Sequence, residues 1–209
     1  MARFEIAPTR TNLLKLKEDI KFAYEGYELL EQKREILIVE LKRHTARAIQ
    51  AQKTVDEELQ KAYEALREAR IRTGQIGVVS SASAVNVEAR LTLKERRIMG
   101  VGVPSVKLTL EDKPPYYGPQ ASSVWTDEAV KRFKNALNAI AALAESRISV
   151  IRLAREIQKT IRRVNALEKI FIPDYEETIK YVEDALEESD REAFFILKLI
   201  KGRLEARGG

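Results

Sequence analysis

Side chains that could do chemistry are scarce in this sequence of 209 residues. It contains no cysteine, which excludes disulfides, thiolate metal sites and cysteine nucleophiles. His44 is its one histidine, so the chain by itself cannot build a histidine metal cluster or a histidine-paired nucleophile. No glycine is followed by lysine, which removes the phosphate-binding P-loop. We therefore predict no catalytic residue, no cofactor-binding residue and no metal ligand.

Charged residues are abundant, but their order along the chain is typical of solvated helix surfaces. There are 37 Lys and Arg residues against 32 Asp and Glu residues, a net charge of +5. Opposite charges recur at helical spacing, as in Glu57–Lys61 and Glu187–Arg191. A nucleic-acid-binding surface would instead gather lysine and arginine on one side, so we predict no nucleic-acid partner.

Hydropathy gives no sign of a membrane-inserted segment. No stretch approaches the roughly 20 uninterrupted apolar residues that a membrane-spanning helix needs. The first residues lack the apolar core of a signal peptide. We therefore expect a cytoplasmic protein without direct membrane insertion.

Residues 11–73 carry an apolar side chain at alternating intervals of three and four. A period of 3.5 residues that continues this far predicts a helix in a left-handed coiled coil. Gly74 is expected to end this helix. The predicted seam positions are Leu13, Leu16, Ile20, Tyr27, Leu30, Leu37 and Leu41.

Residues 126–205 repeat this apolar spacing and predict the second helix of the coiled coil. Pro173 lacks an amide hydrogen and clashes with the preceding turn, so we expect a kink near it in an otherwise continuous helix. The predicted seam positions are Ile151, Ile161, Val164, Ile179, Val182, Leu186, Leu197 and Ile200.

The stretch between the two helices changes to a period of two. Apolar and polar residues alternate over 85–90 and 106–110, which indicates two short strands with one buried face. The charged run 94–97 is expected to form a solvated turn between them. Gly100 and Gly102 are interpreted as a bulge or a close approach of strands rather than a ligand loop.

These segments together predict a mainly α fold, a long antiparallel two-helix left-handed coiled-coil hairpin with a small central β-hairpin lobe. Antiparallel pairing would bury both apolar stripes. The predicted parts are an N-terminal tail (1–10), the first helix (11–73), the central lobe (74–125), the second helix (126–205) and a C-terminal tail (206–209).

A register follows if Leu13 lies near Leu204, because facing residue numbers would then sum to about 217. Arg34 would face the neighbourhood of Glu183 and would pair with a carboxylate there. His44 would be a partly exposed seam residue near Pro173.

Three runs in the second helix resemble a known family signature: Arg162–Glu168, Ile172–Pro173 and Glu176–Ile179. The chain is similar there to the D subunit of the central stalk of V-type and archaeal A-type rotary ATPases. Residues 8–17 and 191–198 extend the resemblance toward both ends. The residues that match the family motif are Arg162, Arg163, Asn165, Glu168, Pro173, Glu176, Glu177 and Thr178.

The resemblance implies a non-catalytic rotor subunit that transmits torque between ATP synthesis or hydrolysis in the head and proton or sodium ion transport in the membrane sector. It implies three sets of partners: the hexameric ring of A and B head subunits, the F subunit of the stalk, and the funnel-shaped subunit above the membrane rotor ring. The protein would be peripheral to the membrane and would need no cofactor.

The paired termini of this family enter the head ring, and both ends of this chain are basic. On that ground we expect the head-ring contacts at Arg10, Asn12, Lys198, Lys201 and Arg203. We expect the surface there to consist of small, polar and charged groups, because an apolar patch would hinder repeated weak contact.

Two other classes share the helical pattern. A coiled-coil scaffold or adaptor without a rotary role has the same periodicity, and so does the stalk protein of type III secretion ATPases, although that protein lacks a central strand lobe. The gamma shaft of F-type enzymes has a larger α/β middle than residues 74–124 could form.

Overall fold

The computed structural model describes residues 6–112, 114–118 and 123–205. Its elements, in chain order, are α1 (Arg10–Ala84), β1 (Val87–Ile98), β2 (Val101–Asp112), α2 (Val124–Ala166), a π-helical turn (Leu167–Phe171) and α3 (Ile172–Glu205). The chain divides into a terminal unit, made of residues up to 34 and from 158 onward, and a central unit, residues 35–157. The mainly α class with a small two-stranded antiparallel sheet is confirmed.

In the terminal unit, the start of α1 runs antiparallel to α3. Three contacts join the two helices: Arg10 with Asp190 at 2.9 Å, Lys17 with Glu183 at 2.7 Å, and Tyr24 with Glu176 at 2.6 Å. The residue numbers of every pair sum to 200, so the predicted sum of about 217 was wrong. An apolar stripe repeats with each heptad and is satisfied at several registers. The three polar pairs are compatible with only one of these registers.

The register also changes the surroundings of Arg34. Glu183 pairs with Lys17, whereas Arg34 pairs with Glu31, one turn away on its own helix. The predicted Arg34–Glu183 neighbourhood is therefore wrong, although a carboxylate partner for Arg34 is present.

The buried positions of α2 and α3 include hydroxyl side chains that an apolar pattern leaves out. Ser149, Thr160 and Thr178 are essentially inaccessible to solvent. Ser149 donates to the carbonyl of Glu145 at 2.7 Å, and Thr178 donates to the carbonyl of Asp174 at 2.6 Å. Hydrogen bonds to the preceding helical turn allow these small polar groups to be buried.

In the central unit, α1 and α2 also run antiparallel. The ring of Tyr63 meets the ring of Phe133 edge-on at 5.6 Å, and the hydroxyl of Thr73 lies 3.3 Å from that of Ser123. The seam here is rich in alanine, and small side chains let two helix backbones approach closely. The buried alanines are Ala62, Ala65, Ala69, Ala129 and Ala136.

Three predicted seam residues are solvent-exposed, whereas the others are buried or half-buried. Ile151 is 49% exposed, because the buried stripe of α2 runs through Ser149, Leu153 and Ile157 and leaves it to one side. Leu197 and Ile200 are 65% and 48% exposed. The fully buried seam residues include Leu37, Val164 and Val182.

Gly74 interrupts α1 with φ 76° and ψ 166°, a backbone conformation that is almost restricted to glycine. The helix resumes immediately and continues to Ala84. Residues 75–84 are therefore helical, which the sequence pattern did not predict.

The strands β1 and β2 are longer than predicted and pair in register from Val87–Asp112 to Ile98–Val101. Met99 and Gly100 form the turn, both with positive φ, as a two-residue hairpin turn requires. The predicted turn at residues 94–97 is wrong, since an exposed strand accepts charged side chains without having to end.

The break near Pro173 lies just before it. Residues 167–171 form the π-helical turn, and the Ile172 amide donates to the carbonyl of Leu167, five residues earlier. Pro173 lies in the first turn of α3, directly after the π-helical turn, and has no amide hydrogen to donate to the preceding turn.

Two glycine substitutions should change stability in opposite directions. Gly74→Ala should lower the free energy of unfolding by about 1–3 kcal/mol, because alanine is strained at this φ and ψ. Gly26→Ala, in a helical position with open space around its Cα, should raise it by about 0.5–1 kcal/mol. Urea unfolding followed by circular dichroism measures both. Equal effects of the two substitutions would contradict the bend at Gly74.

Candidate functional site

The last turns of α3 expose a run of large apolar side chains, which we call the α3 tip. Phe194, Phe195, Leu197 and Leu199 are each more than 60% exposed. Ile196 and Ile200 are about half exposed. Soluble monomers rarely leave so many large apolar groups together in water, so this surface is suited to contact with another molecule. The expectation of small, polar and charged groups at this end is therefore wrong.

The register of the terminal unit explains why the α3 tip is uncovered. Asp190 pairs with Arg10, the first residue of α1, while α3 continues to Glu205. Beyond Asp190, therefore, α1 supplies no helical turn to face α3. Within the described residues, α3 extends past its helical partner.

The five predicted head-ring residues divide into two groups. Arg10 is held by both carboxylate oxygens of Asp190, at 3.0 and 2.9 Å. The Asn12 side chain donates to the carbonyl of Ala7 at 2.9 Å, so it helps to fix the start of α1. The other three lie exposed on α3 among or just beyond the apolar side chains of the tip: Lys198, Lys201 and Arg203.

The family-motif residues also divide by burial. Thr178 is fully buried, and Pro173 is partly buried in the first turn of α3. Glu176 accepts a hydrogen bond from Tyr24, and this bond raises the pKa of the Tyr24 hydroxyl. The remaining motif residues are solvent-exposed: Arg162, Arg163, Asn165, Glu168 and Glu177. Packing inside the terminal unit thus accounts for only part of the motif.

Two residues of α2 anchor the β-hairpin, and the sequence analysis missed both. The amide of Val106 donates to Glu145 at 2.6 Å. Arg152 donates to the carbonyl of Gly102 at 2.8 Å and pairs with Glu95 at 3.3 Å. Glu145 and Arg152 are seven residues apart, two turns along one helix face, which is the signal that could have pointed to them.

Gly102 pairs with Arg97 in an uninterrupted ladder, without the predicted bulge. A Cβ atom at this position would collide only with the far end of the flexible Glu95 side chain, which could move aside. Arg152 bonds the Gly102 carbonyl.

An apolar cleft of about 390 Å³ lies in the central unit beside the helical segment that follows Gly74. Its lining includes Leu66, Val78, Val85, Val130 and Phe133. The described part of the chain holds no cluster of three or more acidic or histidine side chains that could bind a metal ion. Among the helices of that part, none is long and apolar enough to cross a membrane.

His44 is buried in the central unit rather than partly exposed as predicted. Burial lowers the pKa of its imidazole, and the nearby charges of Arg47 and Arg43 lower it further. Glu40 and Glu145 act in the opposite direction but do not reverse the shift. The charged neighbour of His44 from outside α1 is thus Glu145 of α2. The predicted register had instead placed the Pro173 region opposite His44.

The lowered pKa makes stability depend on pH. Below pH 6.5, the ordinary pKa of histidine, the unfolded chain binds a proton at His44. The folded chain binds this proton only at a lower pH, because its pKa is lowered. Stability should therefore fall as the pH drops through and below 6.5. In His44→Gln the difference in unfolding free energy between about pH 7.5 and about pH 5.5 should be smaller, as measured by urea titration. The same pH dependence in both proteins would contradict this assignment.

Comparison with known proteins places the whole described fold in one family. The model of the ATP synthase D subunit family matches residues 12–202. The D subunit of the A-type ATP synthase of Pyrococcus furiosus is 40% identical over 206 residues, which cover 97% of this chain and 96% of the relative. The corresponding subunits of Methanopyrus kandleri and Thermococcus sibiricus are each 38% identical, over 97% of this chain and 88% and 96% of their own lengths.

The match takes in the buried and exposed parts of the motif, both strands and nearly all of α1 and α3. It includes the α3 tip as far as residue 202. The chain belongs to the ATP synthase D subunit family and is a stalk subunit of an A-type ATP synthase.

Proposed function

We propose that this chain is the non-catalytic rotor shaft of the central stalk, which carries torque between the ATP-processing head and the ion-translocating membrane sector. The α3 tip is the observation that carries this proposal. Its six large apolar side chains need a partner that removes them from water, and the family match extends over all of them.

An apolar tip suits a contact that turns. Hydrophobic attraction has no preferred direction and depends on the area removed from water. A tip held mainly by apolar contact can therefore rotate inside a collar without breaking a set of directional bonds at each step. Several charge-assisted hydrogen bonds would instead favour one angle. We assign the ring of A and B head subunits as this collar.

Torque also requires helices that resist sliding and unwinding. In the terminal unit, the exposed ion pairs Arg10–Asp190 and Lys17–Glu183 define one register, although each contributes little free energy by itself. The buried side chains of Leu16, Val164 and Val182 supply the adhesion. The two paired helices differ in sequence, so the shaft presents unlike faces to the repeated subunits of a ring.

Family membership also supports two further partner assignments. We assign the F subunit of the stalk and the funnel-shaped subunit above the membrane rotor ring to the other surfaces of the chain. The shaft itself binds no cofactor and works at the cytoplasmic face of the membrane, as a peripheral part of the complex. The coupled ion is a proton or sodium.

Polar substitutions in the α3 tip should weaken binding to the head ring. Phe194→Ser combined with Leu197→Ser removes two large apolar groups that burial would stabilise by about 1.5–3 kcal/mol each. The affinity for an isolated ring of A and B subunits should fall at least a hundredfold, as measured by titration of labelled chain.

Phe22→Ser provides the matched control, because Phe22 is 77% exposed on α1 of the same unit. It should leave ring binding unchanged. Equal losses for the control and the tip variant would show that the tip is not the head-facing surface.

A cleavable cross-link distinguishes a rotating shaft from a static scaffold or adaptor. The chain has no cysteine, so Lys198→Cys creates a single thiol at the exposed tip. The cross-linker has a thiol-reactive group at one end, a photoreactive group at the other and a disulfide between them. In the assembled complex it would join this thiol to the ring. A shaft should lose most of its ATP hydrolysis on illumination and regain it on reduction.

The control is the same assembly with the natural Lys198, treated and illuminated identically. If ATP hydrolysis were equally fast before and after complete cross-linking of Lys198→Cys, the chain would be a static scaffold rather than a rotating shaft. The stalk protein of type III secretion ATPases would bind a different ring and would fail the preceding titration.

A further inference from the structure

We propose that the free edge of β1 binds an extended segment of another protein as a third strand of the sheet. The segment would carry apolar side chains on one face and acidic side chains on the other. This binding edge stands independently of the rotary role, because it rests on the β-hairpin of the central unit alone.

The two outer edges of this sheet have different surroundings. The edge of β2 faces α2, with Val106 bonded to Glu145 and Gly102 bonded to Arg152. It also carries Pro104, which has no amide hydrogen to offer. The sheet has two strands, and no backbone group in the described ranges pairs with the outer edge of β1.

The pairing pattern shows which groups of β1 are available. The amide of Val106 points away from β1, because it donates to Glu145. Its partner across the ladder is Leu93, so the backbone groups of Leu93 point outward as well. By alternation, Ala89, Leu91 and Leu93 direct their amides and carbonyls to the open edge. The intervening residues bond to β2.

The same edge combines length with exposure. β1 has 12 residues, and all but its first and last are solvent-exposed. Leu91 and Leu93 are 53% and 65% exposed and share one face. Proteins usually shorten, kink, cover or charge an edge of this length, because unpaired strand groups attract further strands. β1 carries charged side chains, but within the described residues it is neither short nor covered. Strand addition to such an edge is a common way to bind peptides.

The two faces of β1 define the chemistry of the added strand. One face presents Val87, Ala89, Leu91 and Leu93, which favour apolar neighbours, followed by Glu95 and Arg97 near the turn. The other presents Glu88, Arg90, Thr92, Lys94 and Arg96. Arg90 already pairs with Glu111, so Lys94 and Arg96 are the residues next to which acidic side chains are most favoured.

A second copy of this chain is a poorer occupant. Antiparallel self-pairing of β1 in the two registers that join the most residues places Arg90 opposite Arg96, or opposite Lys94 with Glu88 opposite Arg96. Both registers therefore oppose basic residues, although the second also contains an opposite-charge pair. Like charges directly opposite each other destabilise a strand pair. The occupant is therefore a different segment with acidic residues at alternate positions.

The experiment uses the full chain and a capped eight-residue peptide of alternating valine and glutamate. Valine amides would face β1, because residues opposite Leu91 and Leu93 on the apolar face make the hydrogen bonds. The peptide should bind, as measured by calorimetry. N-methylation of its valines should abolish binding, whereas N-methylation of its glutamates should change the affinity less than twofold.

Hydrogen exchange then identifies the groups involved. On addition of the peptide, the amides of Ala89, Leu91 and Leu93 should become protected, while those of Thr92 and Lys94 are protected already. Peptide binding without this new protection would mean docking on a face of the sheet and would overturn the proposal. So would equal binding of a valine–lysine peptide.

Two proline variants of one residue pair complete the test. Leu91 and Leu108 lie opposite each other in the ladder, and both direct their amides away from it. Leu91→Pro removes a hydrogen-bond donor from the open edge and should lower the affinity for the valine–glutamate peptide about tenfold. Leu108→Pro removes one from the covered edge and should not weaken it. Equal weakening by both variants would overturn the proposal, as would a concentration-dependent dimer of the chain that protects Leu91 and Leu93.

Discussion

The register of α1 against α3 is the constraint on which the terminal unit depends. The apolar stripe supplies most of the adhesion, but it repeats with every heptad and does not select one alignment. Arg10–Asp190, Lys17–Glu183 and Tyr24–Glu176 all require the same alignment. Exposed polar pairs that contribute little stability one by one therefore determine which residues of α3 are covered and which are left for a partner.

The end of that register leaves an apolar surface exposed. Because α1 starts at Arg10, opposite Asp190, none of the described residues places a helix beside the following turns of α3, and the apolar side chains there are in contact with solvent. The same residues would complete a buried seam in a longer hairpin. Their sequence is that of a core, and the position where α1 starts leaves them at the surface.

The central unit exposes a different kind of group. Within the part of the chain that the structure describes, its hairpin leaves backbone amides and carbonyls unpaired along β1, while Glu145, Arg152 and Pro104 protect the edge of β2. Backbone groups confer directional, sequence-tolerant binding, with selectivity added by the flanking side chains. The contact proposed for the α3 tip is thus non-directional and apolar, whereas the attachment proposed for β1 is directional.

The sequence alone determined the helical class and the interruption of the first helix at Gly74, although not its continuation to Ala84, because periodicity is a local property of a chain. The strand pattern of the central stretch also followed from alternation, although not the turn at Met99–Gly100. The family motif identified the protein class before any contact was known.

Tertiary structure decided the rest, because these features depend on residues distant in the chain. Thr160 and Thr178 became core residues through hydrogen bonding and burial that an apolar pattern does not register. Glu145 and Arg152 became hairpin anchors only because β2 lies beside α2. Leu197 changed from a seam residue to a surface residue because α1 starts opposite Asp190, a fact of pairing between helices that no single stretch of sequence contains.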